Sequence, residues 1–327
     1  MQLPIVQKVR SFILNETELS FEDLALEVFA FQYENNSVYR KFCDLLNRAP
    51  GNVDTLEDVP FLPVEFFKDR TVLSLEFNET MTCFTSSGTT GSQVSKHYVP
   101  DLSLYDLSLF RGFQEFYGDP EGYEFFFLLP SYLERSGSSL IHMARRLHEA
   151  SGSSRDPFYL DSTKRFQEDL KKAERRVFLL GVTFALLDLA SQDIDLSNAI
   201  VMDTGGMKGR RKEIVREEVH AILQSGLHCG TIHSEYGMTE LLSQAYSAKD
   251  GIFHCPSWMR LTLREMEDPL LVSDQLTSGG VNVIDLANVL SCSFLATQDI
   301  GRKSEKGMEF LGRFDHSDIR GCNLMAV

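Results

Sequence analysis

Ser234-Glu-Tyr-Gly-Met-Thr-Glu240 closes an apolar run that begins at Thr231-Ile-His233, so a strand-like segment feeds straight into a turn carrying a ring, a glycine, a hydroxyl and a carboxylate. A tyrosine can stack on a nucleobase, a threonine can bond a phosphate oxygen, and a glutamate can hold Mg²⁺ beside phosphates. Upstream, Asp203-Thr-Gly-Gly206 ends a second such run, Ala199-Ile-Val-Met202. Ligands of open α/β sheets sit where strands end in this way.

Working outward, Phe125-Phe-Phe-Leu-Leu129 and Val177-Phe-Leu-Leu180 read as further buried strands, with helices expected around 138–150, 162–174, 183–190 and 210–224. The alternation predicts an α/β architecture with a largely parallel sheet. Residues 1 to about 50 read as helical: Ser20-Phe-Glu-Asp23 resembles a capping box, and Leu24, Ala25, Val28, Phe29 and Phe31 recur near helical spacing. Prolines punctuate Val59-Pro-Phe-Leu-Pro-Val64 before Glu65-Phe-Phe-Lys68. Beyond 250, Gly251-Ile-Phe-His-Cys255, Met259-Arg-Leu-Thr-Leu263 and Val281-Asn-Val-Ile-Asp285 suggest short strands between turns. The expected division is a helical segment over 1–80 packed on the core, an α/β nucleotide-binding core over 81–250, and a smaller β-rich subdomain over 251–327 ending in a short tail.

The 327 residues carry a net charge of −15, and phosphate neutralisation along a nucleic acid needs clustered cations instead. A nucleic-acid partner is therefore not expected. No apolar run is long enough to span a bilayer and the N-terminus has no signal-like apolar region, so the expectation is a cytoplasmic protein without a membrane span. Six dispersed cysteines without a C-x-x-C pair read as reduced thiols.

Phe84-Thr-Ser-Ser-Gly-Thr-Thr-Gly-Ser-Gln-Val-Ser-Lys96-His97 packs glycine, hydroxyls and one lysine into a short window. Such a loop can turn successive N–H groups onto one anion, and is equally suited to being a solvated linker. It is not a Walker A sequence, because no G-K-[ST] follows the second glycine. His228-Cys229 with His233, and His254-Cys255, lack zinc spacing and read as core or loop residues. Ser136-Gly-Ser-Ser139 reads equally as a helix cap or as the start of a helix facing a substrate group, without the G-x-S-x-G elbow of a serine hydrolase. Lys208-Gly-Arg-Arg-Lys212 reads as a solvated helix start.

Together with Ala296-Thr-Gln-Asp-Ile300 and Gly312-Arg-Phe-Asp315, these stretches resemble the adenylate-forming superfamily of acyl- and aryl-CoA ligases, peptide-synthetase adenylation domains and luciferases. The loop looks like its T-S-G-T-T-G phosphate motif, Tyr236–Glu240 like Y-G-x-T-E, Thr297-Gln-Asp299 like T-G-D, and Gly312-Arg-Phe-Asp315 like the G-R-x-D hinge. Gln298 replaces the usual glycine, and Lys96 stands five residues beyond Gly91 where the family places proline and lysine at once. The family's mobile C-terminal lid is expected to be absent. Phe21–Phe29 with Phe31-Gln32, Pro60-Phe-Leu-Pro-Val-Glu-Phe-Phe-Lys68, Pro130–Ser139 and Arg320-Gly-Cys-Asn-Leu324 resemble more narrowly the acyl-protein synthetases, the synthetase subunit of the fatty-acid reductase complex of bacterial bioluminescence.

That resemblance implies an acid–thiol ligase that uses ATP and Mg²⁺ to activate a carboxylic acid, a fatty acid in that family, as an acyl-adenylate, and then passes the acyl group to a cysteine. Cys322 stands at the matching place. By resemblance, Thr85, Ser86, Ser87, Gly88, Thr89, Thr90 and Gly91 would bind the β/γ end of ATP, with Lys96 as the loop's cation. Thr239 and Glu240 would serve the α-phosphate and Mg²⁺, Tyr236, Gly237, Gly205 and Gly206 the adenine, and Asp299 and Arg313 the ribose. Implied partners are the acid and an acyl-reductase or acyl-carrier protein, with oligomeric state left open. The rival readings are a ligase that delivers to CoA or a carrier protein, and a nucleotide-binding scaffold subunit without turnover.

Overall fold

The computed structural model describes residues 3–86, 93–129, 137–159, 162–205 and 215–314. Helices α1 (Pro4–Ile13), α2 (Phe21–Asn35) and α3 (Ser37–Leu45) come first. Ser20 caps α2 as the sequence pattern predicts, its Oγ accepting from the Asp23 N–H at 3.0 Å. Asn36 ends α2 and caps α3, its Oδ1 accepting from the Val38 and Tyr39 N–H groups. The proline-punctuated stretch then yields the two-residue strand β1 (Leu62–Pro63) and the one-turn helix α4 (Phe66–Asp69), before the hairpin β2 (Thr82–Thr85) and β3 (Lys96–Val99).

The α/β part follows as α5 (Leu102–Tyr117), β4 (Tyr123–Leu128), α6 (Ser139–Ala150), α7 (Thr163–Leu170), β5 (Arg176–Val182), α8 (Thr183–Ala190), β6 (Ile200–Thr204), α9 (Arg216–Leu227), β7 (Ile232–Tyr236) and β8 (Ala245–Ser247). Strands β4 to β7 lie side by side in chain order and parallel, and β8 runs antiparallel to β7. A parallel sheet needs both faces covered, which is why these strands are continuous apolar runs. Phe125, Phe127, Phe178 and Leu180 enter one core cluster with α5 and α6. Their neighbours Phe126, Leu128, Val177 and Leu179 face the opposite way, into a cluster with Phe166 of α7, Leu186 of α8 and Leu223 of α9. Each such side chain contributes about 1.5–3 kcal/mol by leaving water.

The four expected strands and the helices expected around 138–150, 162–174 and 183–190 correspond to β4–β7 and α6–α8. The helix expected over 210–224 corresponds to α9, with 210–214 outside the described residues. Helix α5 lies outside the expected set.

The second sheet comprises β9 (Ile252–Phe253), β10 (Met259–Arg264), β11 (Ser278–Asp285), β12 (Phe294–Ser304) and β13 (Gly307–Arg313), antiparallel in the order β10-β11-β12-β13-β9. Strand β1 joins it in parallel with β12, Leu62 opposite Leu295. The buried turn 286–293 receives the N-terminal helices. Gln32, fully buried, donates from Nε2 to the Val289 carbonyl at 2.9 Å and accepts at Oε1 from the Ser293 N–H at 3.0 Å. Asn36 donates to the Ser291 carbonyl at 2.9 Å. Among the described residues no helix is long and apolar enough to cross a membrane.

Candidate active site

The ends of β7 and β13 meet the middle of β12. Tyr236, the last residue of β7, donates its hydroxyl to Asp299 Oδ2 at 2.8 Å, across 63 residues of sequence. Asp299 and Arg313 are direct partners across β12 and β13, and the Arg313 Nε lies 3.1 Å from Asp299 Oδ1. The Asp299 N–H donates to Thr297 Oγ1 at 3.1 Å, and that hydroxyl donates to the Val281 carbonyl. A carboxylate held so, with each oxygen partnered once, still has two acceptor positions for hydroxyls of a ligand. The Tyr236 ring is stacked on Phe310, centroids 3.9 Å apart.

Beneath this constellation Arg264 threads its guanidinium between strands, donating to the Thr297 carbonyl at 2.6 Å, the Val281 carbonyl at 2.7 Å and Asn282 Oδ1 at 2.8 Å. Room for it exists because its register partner is Gly280, where an added Cβ would lie 2.6 Å from the guanidinium carbon. Burial pulls the Arg264 pKa down from its ordinary value, with the charges of Glu65 and Asp299 opposing. Five of its N–H bonds remain donors in any case.

The turn after β7 carries Thr239 and Glu240. Glu240 is 7% exposed; burial raises its carboxyl above the usual carboxylate range, opposed by a hydrogen bond from Ser95 and by the charges of Arg313 and Lys68. His97, fully buried on β3, sets Nδ1 2.8 Å from the Thr239 carbonyl and Nε2 3.0 Å from Asn288 Oδ1. The Asn288 amide nitrogen is committed to the Glu240 carbonyl at 2.8 Å and the Cys292 carbonyl at 2.9 Å, which fixes its oxygen toward His97. Burial pushes the imidazole down to about 4, so near neutral pH the ring holds one proton; the shorter contact marks the Thr239 carbonyl as its acceptor, and Nε2 then packs against Asn288 Oδ1 without a hydrogen bond between them. Asp285, pushed up to about 6 by burial, accepts from the Leu242 and Ser243 N–H groups at 2.7 and 3.0 Å and closes the turn.

The β2–β3 hairpin brings the stem residue Ser95 to Glu240. Thr85 pairs with Lys96; the Ser86 N–H donates to the Ser95 carbonyl at 3.2 Å, and the Ser95 N–H to Ser86 Oγ at 2.9 Å. Strand alternation puts Ser95 and His97 on the buried face toward Thr239 and Glu240, and leaves Lys96 exposed on the other. Ser87, Gly88, Thr89, Thr90 and Gly91 of the loop, Gly206, and Cys322 lie outside the described residues.

Gly205 follows β6 with a φ of +70°, and its carbonyl accepts from Thr183 Oγ1 at 2.7 Å. A Cβ on Gly237 would meet Glu235 Oε1 at 2.3 Å. Glu235 itself accepts from Thr204 Oγ1. The His228-Cys229 pair stands apart from this site: His228 bonds Asp193 at 2.7 Å and Cys229 is buried behind the parallel sheet.

Several lining residues escaped the sequence reading. Glu65 accepts from the Gln298 amide, and the Lys68 carbonyl accepts from Gln93 Nε2 at 2.9 Å, so Pro60–Lys68 borders both the T-Q-D motif and the loop's far stem. The quoted Pro60–Lys68 motif was the available signal for those two. Ser95, His97 and Asn288 carry no pattern that marks them. Among the described residues no three His, Cys, Asp or Glu side chains gather to cage a metal. One buried carboxylate, Glu240, instead fits Mg²⁺, which takes one or two protein oxygens and the rest from phosphates and water.

A family model described as "Acyl-protein synthetase, LuxE" matches residues 6–106. The chain is 37% identical over 78 residues to a long-chain-fatty-acid–luciferin-component ligase of Vibrio harveyi, covering 24% of this chain and 20% of that protein. It is 33% identical over 84 residues to the ligase of the same name from Photorhabdus luminescens, covering 25% of this chain and 72% of the relative. The match thus spans only a fifth of the length of the Vibrio relative. In structure, 2-hydroxyisobutyryl-CoA ligase in complex with 2-HIB-AMP superposes with a TM-score of 0.68 at 12% identity, over 90% of this chain and 68% of that one. The fold is therefore that of the adenylate-forming enzymes, and the chain belongs to the acyl-protein synthetase (LuxE) family.

Proposed function

We propose that this chain uses ATP to convert a fatty acid into an acyl-adenylate and passes the acyl group to Cys322 as a thioester. The observation that carries the reading is the convergence of Tyr236, Asp299 and Arg313 with Glu240 and the hydroxyl-rich hairpin, from four separate parts of the chain. A carboxylate is a poor electrophile because its leaving group is an oxide. Attack of a carboxylate oxygen on the α-phosphorus expels pyrophosphate; attack of a thiolate on the acyl carbon then expels AMP.

In this reading Asp299 accepts from the ribose hydroxyls, Arg313 adds a cation beside the sugar-phosphate, and the Tyr236 face opposite Phe310 flanks adenine with the Gly205-Gly206 backbone. The loop from Thr85 to Gly91 holds the β/γ end with N–H and hydroxyl donors, Lys96 serves it from the exposed face, and Thr239 donates to the α-phosphate. Glu240 would hold Mg²⁺, which neutralises phosphate charge when bound. The functional units are 1–80, 81–250 and 251–327, with an acyl-reductase or acyl-carrier protein as partner. The described cysteines are free thiols, as a reducing compartment keeps them, and the cytoplasm is the proposed location.

Carboxylate-dependent exchange of labelled pyrophosphate into ATP tests the first half-reaction; fatty acids should support it, and a broad acid panel giving none would sink the reading. Cys322→Ser should keep that exchange and lose the covalently acylated protein. Unchanged thioester formation in that variant would instead assign the acceptor to a diffusible thiol.

A further inference from the structure

The two halves of the site reside on different layers. Glu240 and Thr239 follow the parallel sheet, whereas Thr85 and Lys96 belong to the small β2–β3 hairpin, which pairs with neither large sheet. A backbone bond ties the hairpin to the α/β part, from the Thr85 N–H to the Gly137 carbonyl at 2.8 Å, and the side chains of His97 and Ser95 reach the Thr239–Glu240 turn itself. From its ring on β3, His97 reaches the Thr239 carbonyl at 2.8 Å and Asn288 Oδ1 at 3.0 Å, and Asn288 holds the next carbonyl of the turn, that of Glu240, at 2.8 Å. Ser95, two residues earlier on the same face, meets the Glu240 carboxylate. The Phe67 ring packs edge-on against the imidazole, centroids 5.5 Å apart, and fixes its tilt.

We infer that His97 is a positioning residue: with Asn288 it sets the Thr239–Glu240 turn in register with the phosphate-binding hairpin, and so tunes adenylation without touching substrate. The inference rests on the function proposed above. Its physical basis is that two successive carbonyls of one turn are held, that of Thr239 by His97 of the hairpin and that of Glu240 by Asn288, against which His97 packs. Losing either grip lets the turn relax by the fraction of an ångström that reacting groups do not tolerate. An imidazole in a core without this role would need its hydrogen bonds only for its own burial, and its replacement would change stability alone.

Asparagine and glutamine separate the two. An asparagine amide nitrogen occupies roughly the position of Nδ1 and can still donate to Thr239, whereas a glutamine amide nitrogen reaches the position of Nε2 and faces Asn288. Both lose the ring contact with Phe67. Pyrophosphate exchange is measured for wild type, His97→Asn and His97→Gln, with ATP and Mg²⁺ titrated and melting temperatures recorded. His97→Gln should lose about 10- to 100-fold in exchange kcat and need more Mg²⁺ for half-saturation, while His97→Asn keeps most of the rate although both melt below wild type. Equal losses that follow the melting temperatures, with the Mg²⁺ requirement unmoved, would reduce His97 to packing. If wild type exchanges with no acid, the functional reading fails first. Calorimetric binding of ATP with Mg²⁺ then decides: the same ranking of Kd upholds the positioning role, and equal Kd values overturn it.

Discussion

Glu235 is a carboxylic acid in an unusual place for one, 8% exposed at the end of β7 with a threonine hydroxyl as its described hydrogen-bond donor. Burial pushes it up to about 7, the Thr204 bond opposes, and nearby Asp203 adds to the rise. The folded protein therefore binds a proton that the unfolded chain has already released between about pH 4.5 and 7. In that window stability falls as pH rises, and the loss is complete above pH 7. Glu235→Gln keeps the shape and removes the charge. Urea midpoints should show it gaining about 1–3 kcal/mol over wild type at pH 8 and little at pH 5; a pH-independent difference would contradict this account. Tyr236, Asp299 and Arg313 were legible in sequence because they stand in motifs that resemble those of a known family, and the structure brings the three together. His97, Asn288 and Glu235 were not, because a lone polar residue acquires meaning only from partners far along the chain, such as the 191 residues between His97 and Asn288.

Strands β4 to β7 were readable because burial on both faces leaves an uninterrupted apolar run, and α8 because it follows β5 without a loop. Helix α5 was not, for a related reason: it lies in the core and is apolar almost all round, with Leu104, Tyr105, Leu109 and Phe113 buried and Leu102, Leu107, Phe110 and Phe116 partly so, which blurs the helical period. Its small positions do record a neighbour, since the Trp258 indole donates to Ser108 Oγ at 2.8 Å and lies 3.7 Å from where a Cβ on Gly112 would stand. Strand β12 runs into a charged, partly exposed hairpin with β13, so alternation fades where the strands continue. The β10–β11 pair carries its own signal in Gly279-Gly280. A Cβ on Gly279 would stand 2.2 Å from the Arg264 carbonyl oxygen, a backbone atom that cannot swing aside. Gly279→Ala should thus cost about 1–3 kcal/mol in denaturant midpoints, and an unchanged midpoint would show that the two strands part freely.

Across the molecule, the turn 286–293 is where the first helices and the Glu240 turn are hydrogen-bonded and where His97 of the hairpin packs. Gln32 should accordingly act at a distance. Gln32→Leu strands the Val289 carbonyl and the Ser293 N–H, at about 1–3 kcal/mol for each unpaired group. A double-mutant cycle with Asn288→Ala should return a coupling of about 0.5–3 kcal/mol. Strict additivity would mean that the helices only cover the core. This long-range stitching was the least legible feature of the chain, since nothing local to residues 1–50 names residues 286–293 as its complement.

The pairing of β1 with β12 has a consequence in time. Leu62 leaves the ribosome long before Leu295, and at about 5–20 residues per second the delay is roughly 10–50 s. Throughout that interval Leu62, Phe61 and Phe29, all buried against Phe294 or its neighbours in the finished protein, lack that part of their packing. The growing chain must then carry a sticky leading end through most of its own synthesis, and its yield in a cell will depend on the chaperones that shield that end until the last strands arrive.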